Sequence, residues 1–405
     1  MKPPLISFVR FFAAVSIVSL LLTKSAGQVQ NPGFESGLNG WRNLWTREAG
    51  TGVLVLDSSI VHSGRNSARV QHQGEKDWSL EPATRVSVTP GDVFELAAWV
   101  KMTNEGGAEA TLCVATFDGD GHGVEWSYGA SSVSGSTDWR LLRSKFVVPE
   151  GVTTIQPRLI GHGKASTWLD DFSLERKSSI DFSKRKALQP LTIQNGALRV
   201  TMNPTNSTFT VEDQKTQRRF EQRPLRNQVV LLDATGAADR IEFRLLHTAS
   251  ALEISGSLRL EGATPEFTVE LSSTGELPSS LQFPHPFASA PRDYLVVPMN
   301  EGISYPVEDR TIEPMRLIAY GGHGICMAFW GVTDGSVGHA AMIETPDDAA
   351  IRIDRVQDRL VVAPEWDAQR GSFGYKRKLR YVFFTEGGHV AIAKRYRNTR
   401  VKLDC

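Results

Sequence analysis

The sequence is dominated by short runs in which apolar and polar residues alternate, and Gly, Pro, Asn or Asp interrupts these runs roughly every 8–12 residues. Successive side chains of a β-strand point to opposite faces, whereas an amphipathic helix repeats its apolar positions every three or four residues. Runs of strand length include VFELAAWVKM, ATLCVATFD, WRLLRSKFVVP, RIEFRLLHTA and LRYVFFT. Such punctuation is typical of β-sandwiches. The pattern therefore predicts an all-β protein.

The length of 405 residues exceeds that of one ordinary domain. Strand-like runs fill residues 28–176 and again residues 191–388, and the second region carries more of them. Residues 177–190 between the two regions are polar and end in Pro190, which is typical of a linker. The sequence thus predicts a β-sandwich followed by a second, larger β-sandwich.

One segment at the end of the chain differs from the rest. Residues 389–405 show helical spacing, with Val390, Ala393 and Tyr396 on one apolar stripe. We predict a short C-terminal helix here.

The first 27 residues have the pattern of a secretory signal peptide. Lys2 and Arg10 precede an apolar run, and small residues follow it. The rest of the chain is therefore expected to be secreted, periplasmic or on the cell surface, with no membrane association once the signal is removed. The 45 basic and 45 acidic residues cancel, which gives no electrostatic basis for binding nucleic acid.

Aromatic residues indicate a binding surface in the first region. In VFELAAWVKM, the more apolar set Phe94, Leu96, Ala98 and Val100 should face the core, which leaves Trp99 on the opposite, polar face. The apolar C–H face of a pyranose stacks on an indole ring. We predict a sugar-stacking platform formed by Trp99 with Trp78, Trp126 and Tyr128; a covered Trp99 is the alternative.

Five motifs then occur in a particular order. They are NPGFESGLNGW, HSGRNSARV, VFELAAWVK, DWRLLRSKFVVPEGV and STWLDDFSL, and together they cover roughly residues 29–175. In this order they resemble CenC-like carbohydrate-binding modules. The resemblance implies a jelly-roll β-sandwich that binds a polysaccharide or glycan.

The same resemblance implies a structural calcium ion. Glu35 matches the acidic residue of the family's opening motif, and Asp170 and Asp171 match the acidic pair on its last strand. Carboxylates from distant segments and turn carbonyls, here those near residues 63–65, are suitable oxygen ligands for calcium. Asp170 is preferred over Asp171 as the side-chain ligand. The alternative is that these acids only form ordinary turn and hydrogen-bond contacts.

Residues 190–400 resemble the N-terminal sandwich that precedes the catalytic barrel of several large glycoside hydrolases. The chain contains no alternating strand–helix pattern that would build such a barrel. The resemblance therefore implies that any catalytic barrel is encoded downstream, and no catalytic residue is predicted. Glu301, in the MNEG segment, would face substrate only in a complete enzyme.

The leading functional hypothesis is a secreted carbohydrate-binding protein that forms the non-catalytic part of a glycoside hydrolase. A first alternative is a hydrolase or lyase whose site lies in the second sandwich, where Tyr305, Arg316 and His323 are available but form no motif. A second alternative is a surface adhesion or structural protein.

Overall fold

The computed structural model describes residues 29–104, 106–183, 188–300, 302–319 and 324–403, with side chains to Thr399. The predicted signal segment 1–27, Glu301 and His323 lie outside these ranges. Within them the chain forms 27 strands and one helix. The predicted all-β class is therefore confirmed.

Two sheets form the first sandwich. One contains β1 (Trp45–Thr46), β4 (Trp78–Leu80), β5 (Val86–Ser87), β7 (Glu109–Phe117), β8 (Gly123–Ser134) and β10 (Thr154–His162). The other contains β2 (Gly52–Asp57), β3 (Ser67–His72), β6 (Asp92–Asn104), β9 (Thr137–Val147) and β11 (Ala165–Ser179). The spatial orders are β1-β4-β10-β7-β8, with β5 beside β10, and β2-β3-β11-β6-β9. Every pairing is antiparallel; β2 pairs with its sequence neighbour β3 and β7 with β8, whereas the other pairings join strands that are distant in the chain.

The core of this sandwich forms where alternating side chains of the two sheets meet. As predicted, Phe94, Leu96, Ala98 and Val100 are buried in it. Fully burying a side chain such as Phe94, Leu96 or Val100 contributes about 1.5–3 kcal/mol. Phe34 is also buried, and its ring centroid lies 4.8 Å from that of Trp41. The opening segment is therefore anchored in the core.

Three sheets make up the second region. The first contains β12 (Leu191–Gln194), β13 (Leu198–Asn203), β14 (Thr208–Asp213) and β15 (Arg219–Glu221). The second is a nine-stranded sheet of β16 (Val229–Gly236), β17 (Arg240–His247), β18 (Leu252–Leu260), β19 (Glu266–Ser272), β20 (Tyr294–Val297), β21 (Ile303–Pro306), β23 (Phe329–Thr333), β24 (Gly338–Ile343) and β27 (Arg377–Phe384). The third contains β22 (Met315–Ile318), β25 (Ala349–Val356) and β26 (Arg359–Trp366).

One apolar core joins these three sheets. Val200 of the first sheet, Phe267 of the nine-stranded sheet and Ile351 of the third all belong to the same buried cluster. The larger sandwich thus folds around a single interior.

Helix α1 spans Gly388–Leu403 and packs on the outside of the nine-stranded sheet. The predicted apolar stripe is wrong in detail, because Val390 and Ala393 are exposed while Ile392 is buried. Tyr396, one turn after Ile392, places its ring 4.7 Å from that of Phe329. No helix in the described ranges is long and apolar enough to cross a membrane.

The two sandwiches contact each other directly. Val93 and Val147 of the first pack with Val230 and Leu246 of the second. The backbone N–H of Val147 donates to the carbonyl of Thr248 at 2.8 Å. The contact involves β6 and β9, and it reaches β8 of the other sheet, where Nδ2 of Asn227 donates to Oε2 of Glu125 at 3.4 Å.

Candidate functional site

The structure does not assemble the four predicted platform residues on one surface. Trp99 lies on β6 in one sheet, whereas Trp78 and Trp126 lie on β4 and β8 in the other. Opposite sheets of a sandwich present their outer faces in opposite directions. Trp99 and Trp126 therefore cannot contact the same sugar chain as parts of one platform.

Two of the four rings lie inside the first sandwich. Trp78 and Tyr128 are each only 1% exposed and belong to its apolar core. The Tyr128 hydroxyl donates to the carbonyl of Val147 at 2.8 Å, so its polar group is also occupied. Because neither ring has an accessible face, the prediction that Trp78 and Tyr128 stack on a sugar is wrong.

Trp126 is 61% exposed. It lies two residues before the buried Tyr128, and regular alternation would place both side chains on the same face. Pairing of β8 with β7 passes from Glu125 opposite Thr116 to Tyr128 opposite Val114, so the β8 strand contains one extra residue. Such a β-bulge reverses the face of the following side chains. The bulge turns Trp126 outward.

Trp99 is partly covered on the outer face of its own sheet. Its indole ring stacks on the imidazole of His62, with centroids 3.9 Å apart and an interplanar angle of 15°. The Trp139 ring lies edge-on to His62 at 5.7 Å. One face of Trp99 is thus already occupied by a protein side chain.

An open cleft runs across the outer face of the β1-β4-β10-β7-β8 sheet and has a volume of about 710 Å³. The strand register brings its side chains together: Trp45 is opposite Ser79, Ser79 is opposite Ile160, and Gln156 is opposite Ala115. Trp45, which is 51% exposed, lies on β1, and Trp126 lies on β8 at the opposite edge of the sheet. The cleft is therefore bordered by two exposed indoles.

Charged side chains form pairs along one side of this cleft. Arg47 binds Asp77 through two nitrogen–oxygen contacts of 2.6 Å each. Arg42 binds Glu81 at 2.9 Å. The hydrogen bond from Arg47 lowers the pKa of Asp77 to about 2, so this carboxyl is ionised at neutral pH and is unsuited to act as a general acid.

The floor of the cleft contains polar atoms that have no protein partner. They are the Oε1 atom of Gln156, the Oγ atom of Ser79 and the Nε atom of Arg158. Buried polar groups in native proteins usually have a hydrogen-bond partner, and an exception calls for an explanation such as a bound molecule. The three side chains offer an acceptor, a hydroxyl and a donor, which are the groups that sugar hydroxyls bind.

Sequence reasoning did not find most of these cleft residues. Trp45 lies on a two-residue strand, and Arg47, Asp77 and Gln156 lie far apart in the chain. None belongs to a local motif, because the cleft exists only once β1, β4 and β10 pair. The one usable signal was the number of tryptophans in the first region.

The three acidic residues proposed as calcium ligands all contact the loop formed by residues 62–66. Oε1 of Glu35 accepts the backbone N–H groups of Arg65 at 2.8 Å and Asn66 at 3.1 Å. Asp170 is buried, and its Oδ2 accepts the N–H groups of His62 at 3.0 Å and Ser63 at 3.1 Å.

Asp171 completes this contact through its side chain, with Oδ2 lying 2.6 Å from Nδ1 of His62. Burial raises the pKa of the Asp170 carboxyl. A cation bound nearby would lower this pKa again, because it stabilises the ionised carboxylate. Glu35, Asp170 and Asp171 do not bring three carboxylate oxygens within 4.8 Å of one another in the described structure, whereas Asp118, Asp120 and His122 bring three ligand atoms that close. The three residues thus supply the oxygen ligands that calcium prefers, but several oxygens of Glu35 and Asp170 already accept hydrogen bonds from backbone N–H groups.

The residues considered for catalysis in the second sandwich are not gathered into one site. Tyr305 lies on β21 in the nine-stranded sheet, and Arg316 lies on β22 in another sheet. Nε of Arg316 binds Oε1 of Glu365 at 2.6 Å, and its Nη2 binds Asp367. This guanidinium is therefore committed to two carboxylates.

Comparison with known families matches the first sandwich. Residues 26–167 match a carbohydrate-binding domain. This match covers every strand that lines the cleft and ends at Thr167, three residues into β11 of the opposite sheet. The second sandwich lies outside the matched residues.

Curated relatives and solved structures show weaker likeness. Over 165 residues the chain is 24% identical to the tRNA nuclease WapA of Bacillus subtilis (strain 168); the match takes in 38% of this chain and 7% of that protein. The chain thus spans only a small part of the length of the relatives it matches.

Among solved structures, the α-N-acetylgalactosaminidase NagBb from Bifidobacterium bifidum in complex with GalNAc aligns at 15% identity and a TM-score of 0.44, over 52% of this chain and 39% of the other. TmCBM61 in complex with β-1,4-galactotriose aligns at 20% identity and a TM-score of 0.28, over 38% of this chain and 100% of the other. Likeness at these levels carries no functional argument.

Proposed function

We propose that the first sandwich binds a polysaccharide or glycan in the cleft bordered by Trp45 and Trp126. The observation that supports this most strongly is the combination of two exposed indoles with partnerless polar atoms of Ser79, Gln156 and Arg158 on the floor between them. Aromatic faces take the apolar C–H surfaces of sugar rings, and the polar atoms take hydroxyls.

Binding without cleavage is the activity that the cleft supports. Glycoside hydrolysis needs two carboxyl groups, one of which holds a proton with a raised pKa. The carboxyls that line the cleft within the described structure are Asp77 and Glu81, and both are paired with arginines. We therefore propose a non-catalytic role for this module, and we propose from the resemblance of residues 190–400 that the chain works together with a glycoside hydrolase.

Affinity electrophoresis against a panel of neutral and acidic polysaccharides tests the proposal. Truncation of a central aromatic anchor typically costs about 2 kcal/mol, which corresponds to a roughly 30-fold loss of affinity. We expect Trp126→Ala and Trp45→Ala each to lose affinity for the retarding polymer by about this factor.

Trp99→Ala serves as the matched control, because Trp99 lies on the opposite sheet and should bind as the wild type does. Retardation that disappears in Trp99→Ala and survives in Trp126→Ala would show that the glycan binds to the sheet that carries Trp99, and would contradict binding in the cleft. Absence of retardation by every polymer would contradict the proposal as a whole.

We also propose that calcium binds at the 62–66 loop, with Glu35 and Asp170 as side-chain ligands. The buried Asp170 carboxyl, whose pKa is raised, is the observation that favours a cation there. Bound calcium would tie the opening segment to β11 through this loop. Differential scanning calorimetry with EDTA and with added calcium tests this proposal: an unchanged Tm in both conditions contradicts it.

Secretion is likewise proposed, on the basis of the N-terminal apolar run. Expression of the full chain in a bacterial host followed by fractionation tests it, and retention of the uncleaved chain in the cytoplasm would contradict it.

A further inference from the structure

The charges in the cleft are unequal in a chain whose total formal charge is zero. Four arginines line the cleft, namely Arg42, Arg47, Arg85 and Arg158, and the described lining contains two carboxylates. Because Asp77 and Glu81 are taken by Arg47 and Arg42, two guanidinium groups have no carboxylate partner in the described structure.

These two unpaired guanidiniums are held at the same end of the cleft. The guanidinium carbon of Arg85 lies 3.5 Å from the centroid of the Phe117 ring. That of Arg158 lies 5.7 Å from the Trp126 ring, and its Nη2 donates to the Trp126 carbonyl. The Phe117 and Trp126 rings contact each other edge to face at 6.0 Å. Both cations are thus positioned by one aromatic pair.

Stacking on an aromatic ring leaves the N–H groups at the edge of a guanidinium available for hydrogen bonds. Arg158 has in addition a buried Nε atom with no partner. A planar guanidinium binds carboxylates and other oxyanions through two parallel hydrogen bonds. A neutral sugar would leave two adjacent positive charges uncompensated in a partly enclosed site.

We propose that the cleft selects an acidic glycan, with a carboxylate or sulfate group of the sugar bound between Arg85 and Arg158 and the ring of that sugar on Trp126. This inference rests on the proposed function, since it names the class of glycan that the same cleft binds. In this proposal Arg85 and Arg158 select the acidic sugar, whereas Arg42 and Arg47 remain paired with Glu81 and Asp77 of the cleft.

Affinity electrophoresis with matched pairs of polymers tests the inference. The pairs are polygalacturonate and its methyl ester, glucuronoxylan and its carboxyl-reduced form, and κ-carrageenan and its desulfated form. We expect the wild type to bind the acidic member of at least one pair about tenfold more tightly than its neutral partner, and this preference to decrease with added salt. The pair that shows it distinguishes carboxylate from sulfate.

Variants connect the preference to the two arginines. Arg85→Gln should remove about tenfold of the affinity for the acidic polymer and leave affinity for the neutral partner within twofold. Arg158→Gln should weaken binding of both polymers, because Arg158 also lines the cleft floor and donates to the Trp126 carbonyl, and should weaken binding of the acidic one about tenfold more. Arg158→Lys keeps the charge without the planar fork and should recover only part of the loss. Arg140→Gln, an exposed arginine on β9 in the opposite sheet, is the control and should bind as the wild type does.

Each outcome is decisive once circular dichroism shows that the variants are folded. If the wild type binds acidic and neutral partners equally, or if the arginine variants keep the acidic preference, the inference is wrong while glycan binding stands. If no polymer of either kind retards the wild type, the proposed function itself fails and this inference fails with it.

Discussion

At the scale of single residues, two side chains of the same type can be buried or exposed depending on the strands that surround them. Trp78 is buried in the core and Trp126 is exposed, although both occur in polar sequence segments. Alternation correctly predicted the inward residues of β6, because that strand is regular around Phe94–Val100. It could not separate Trp126 from Tyr128, because a bulge in pairing with β7 lies between them.

The acidic residues of the opening and closing segments were predictable as a group, and their unequal environments were not. Glu35 is exposed, whereas Asp170 is buried and accepts N–H groups from His62 and Ser63 through one oxygen and from Asp171 through the other. An amide in place of this carboxylate must turn its NH₂ group toward at least one N–H donor.

We therefore expect Asp170→Asn to lower the free energy of unfolding by about 1–3 kcal/mol, the usual cost of a buried polar group left without its partner. Glu35→Gln is the matched variant, because its amide oxygen can still accept from Arg65 and Asn66 at the surface, and it should cost less than about 0.5 kcal/mol. Urea denaturation in the presence of EDTA measures both. Equal losses in the two variants would contradict the role given to burial.

At the scale of elements, the number of strands and the terminal helix were predictable because propensity and periodicity are local properties. The face of helix α1 was not, because it depends on the surface below it. Ile392 packs above Gly331, where an added Cβ atom would lie 2.4 Å from Cδ1 of Ile392. Because Gly331 has no side chain, Ile392 can pack against the sheet, and the buried face of the helix contains Ile392 instead of Val390 and Ala393.

Ile392→Ala should therefore destabilise the second sandwich by about 2–5 kcal/mol, as is typical when a buried isoleucine is truncated. Val390→Ala removes apolar atoms from the same helix at an exposed position, and we expect a change within about 0.5 kcal/mol. Chemical denaturation followed by near-UV circular dichroism compares the two. A larger loss of unfolding free energy in Val390→Ala than in Ile392→Ala would instead support the buried helix face that was predicted from the sequence.

At the scale of the whole molecule, the larger sandwich encloses histidines that its sequence does not mark as special. His247, His285 and His339 are buried, and burial lowers the pKa of each, to about 4 for His247 and His285 and to about 3 for His339. In the unfolded chain a histidine titrates near pH 6.5. Below that pH the unfolded state binds protons that the folded state does not, so stability falls with decreasing pH.

We expect the free energy of unfolding to decrease between about pH 6.5 and pH 4, with His247 and His285 contributing about 3 kcal/mol each at most. Urea titrations at several pH values measure this slope. His247→Gln should flatten it, whereas His122→Gln, which alters an exposed histidine of the first sandwich, should not. A slope confined to pH values below 4 would instead assign the acid sensitivity to carboxylates.

The cleft also belongs to this largest scale. Its lining comes from strands β1, β4, β10, β7 and β8 and from the segments beside them, and it extends from Arg42 to Arg158 along the chain. The aromatic residues predicted to form one platform are divided between two sheets, and the zero formal net charge of the whole chain gives no indication of a local cluster of arginines.

The sequence by itself determined the all-β class, the order of the two sandwiches, the inward face of β6 and the presence of a terminal helix. These properties follow from the spacing of apolar and polar residues that are close together in the sequence. Only the tertiary structure decided which tryptophans border the cleft, which arginines keep a free charge and which face of the helix is buried. These depend on strand pairing, on the irregular register between β7 and β8 and on contacts between residues that are distant in the chain, none of which a local sequence pattern can predict.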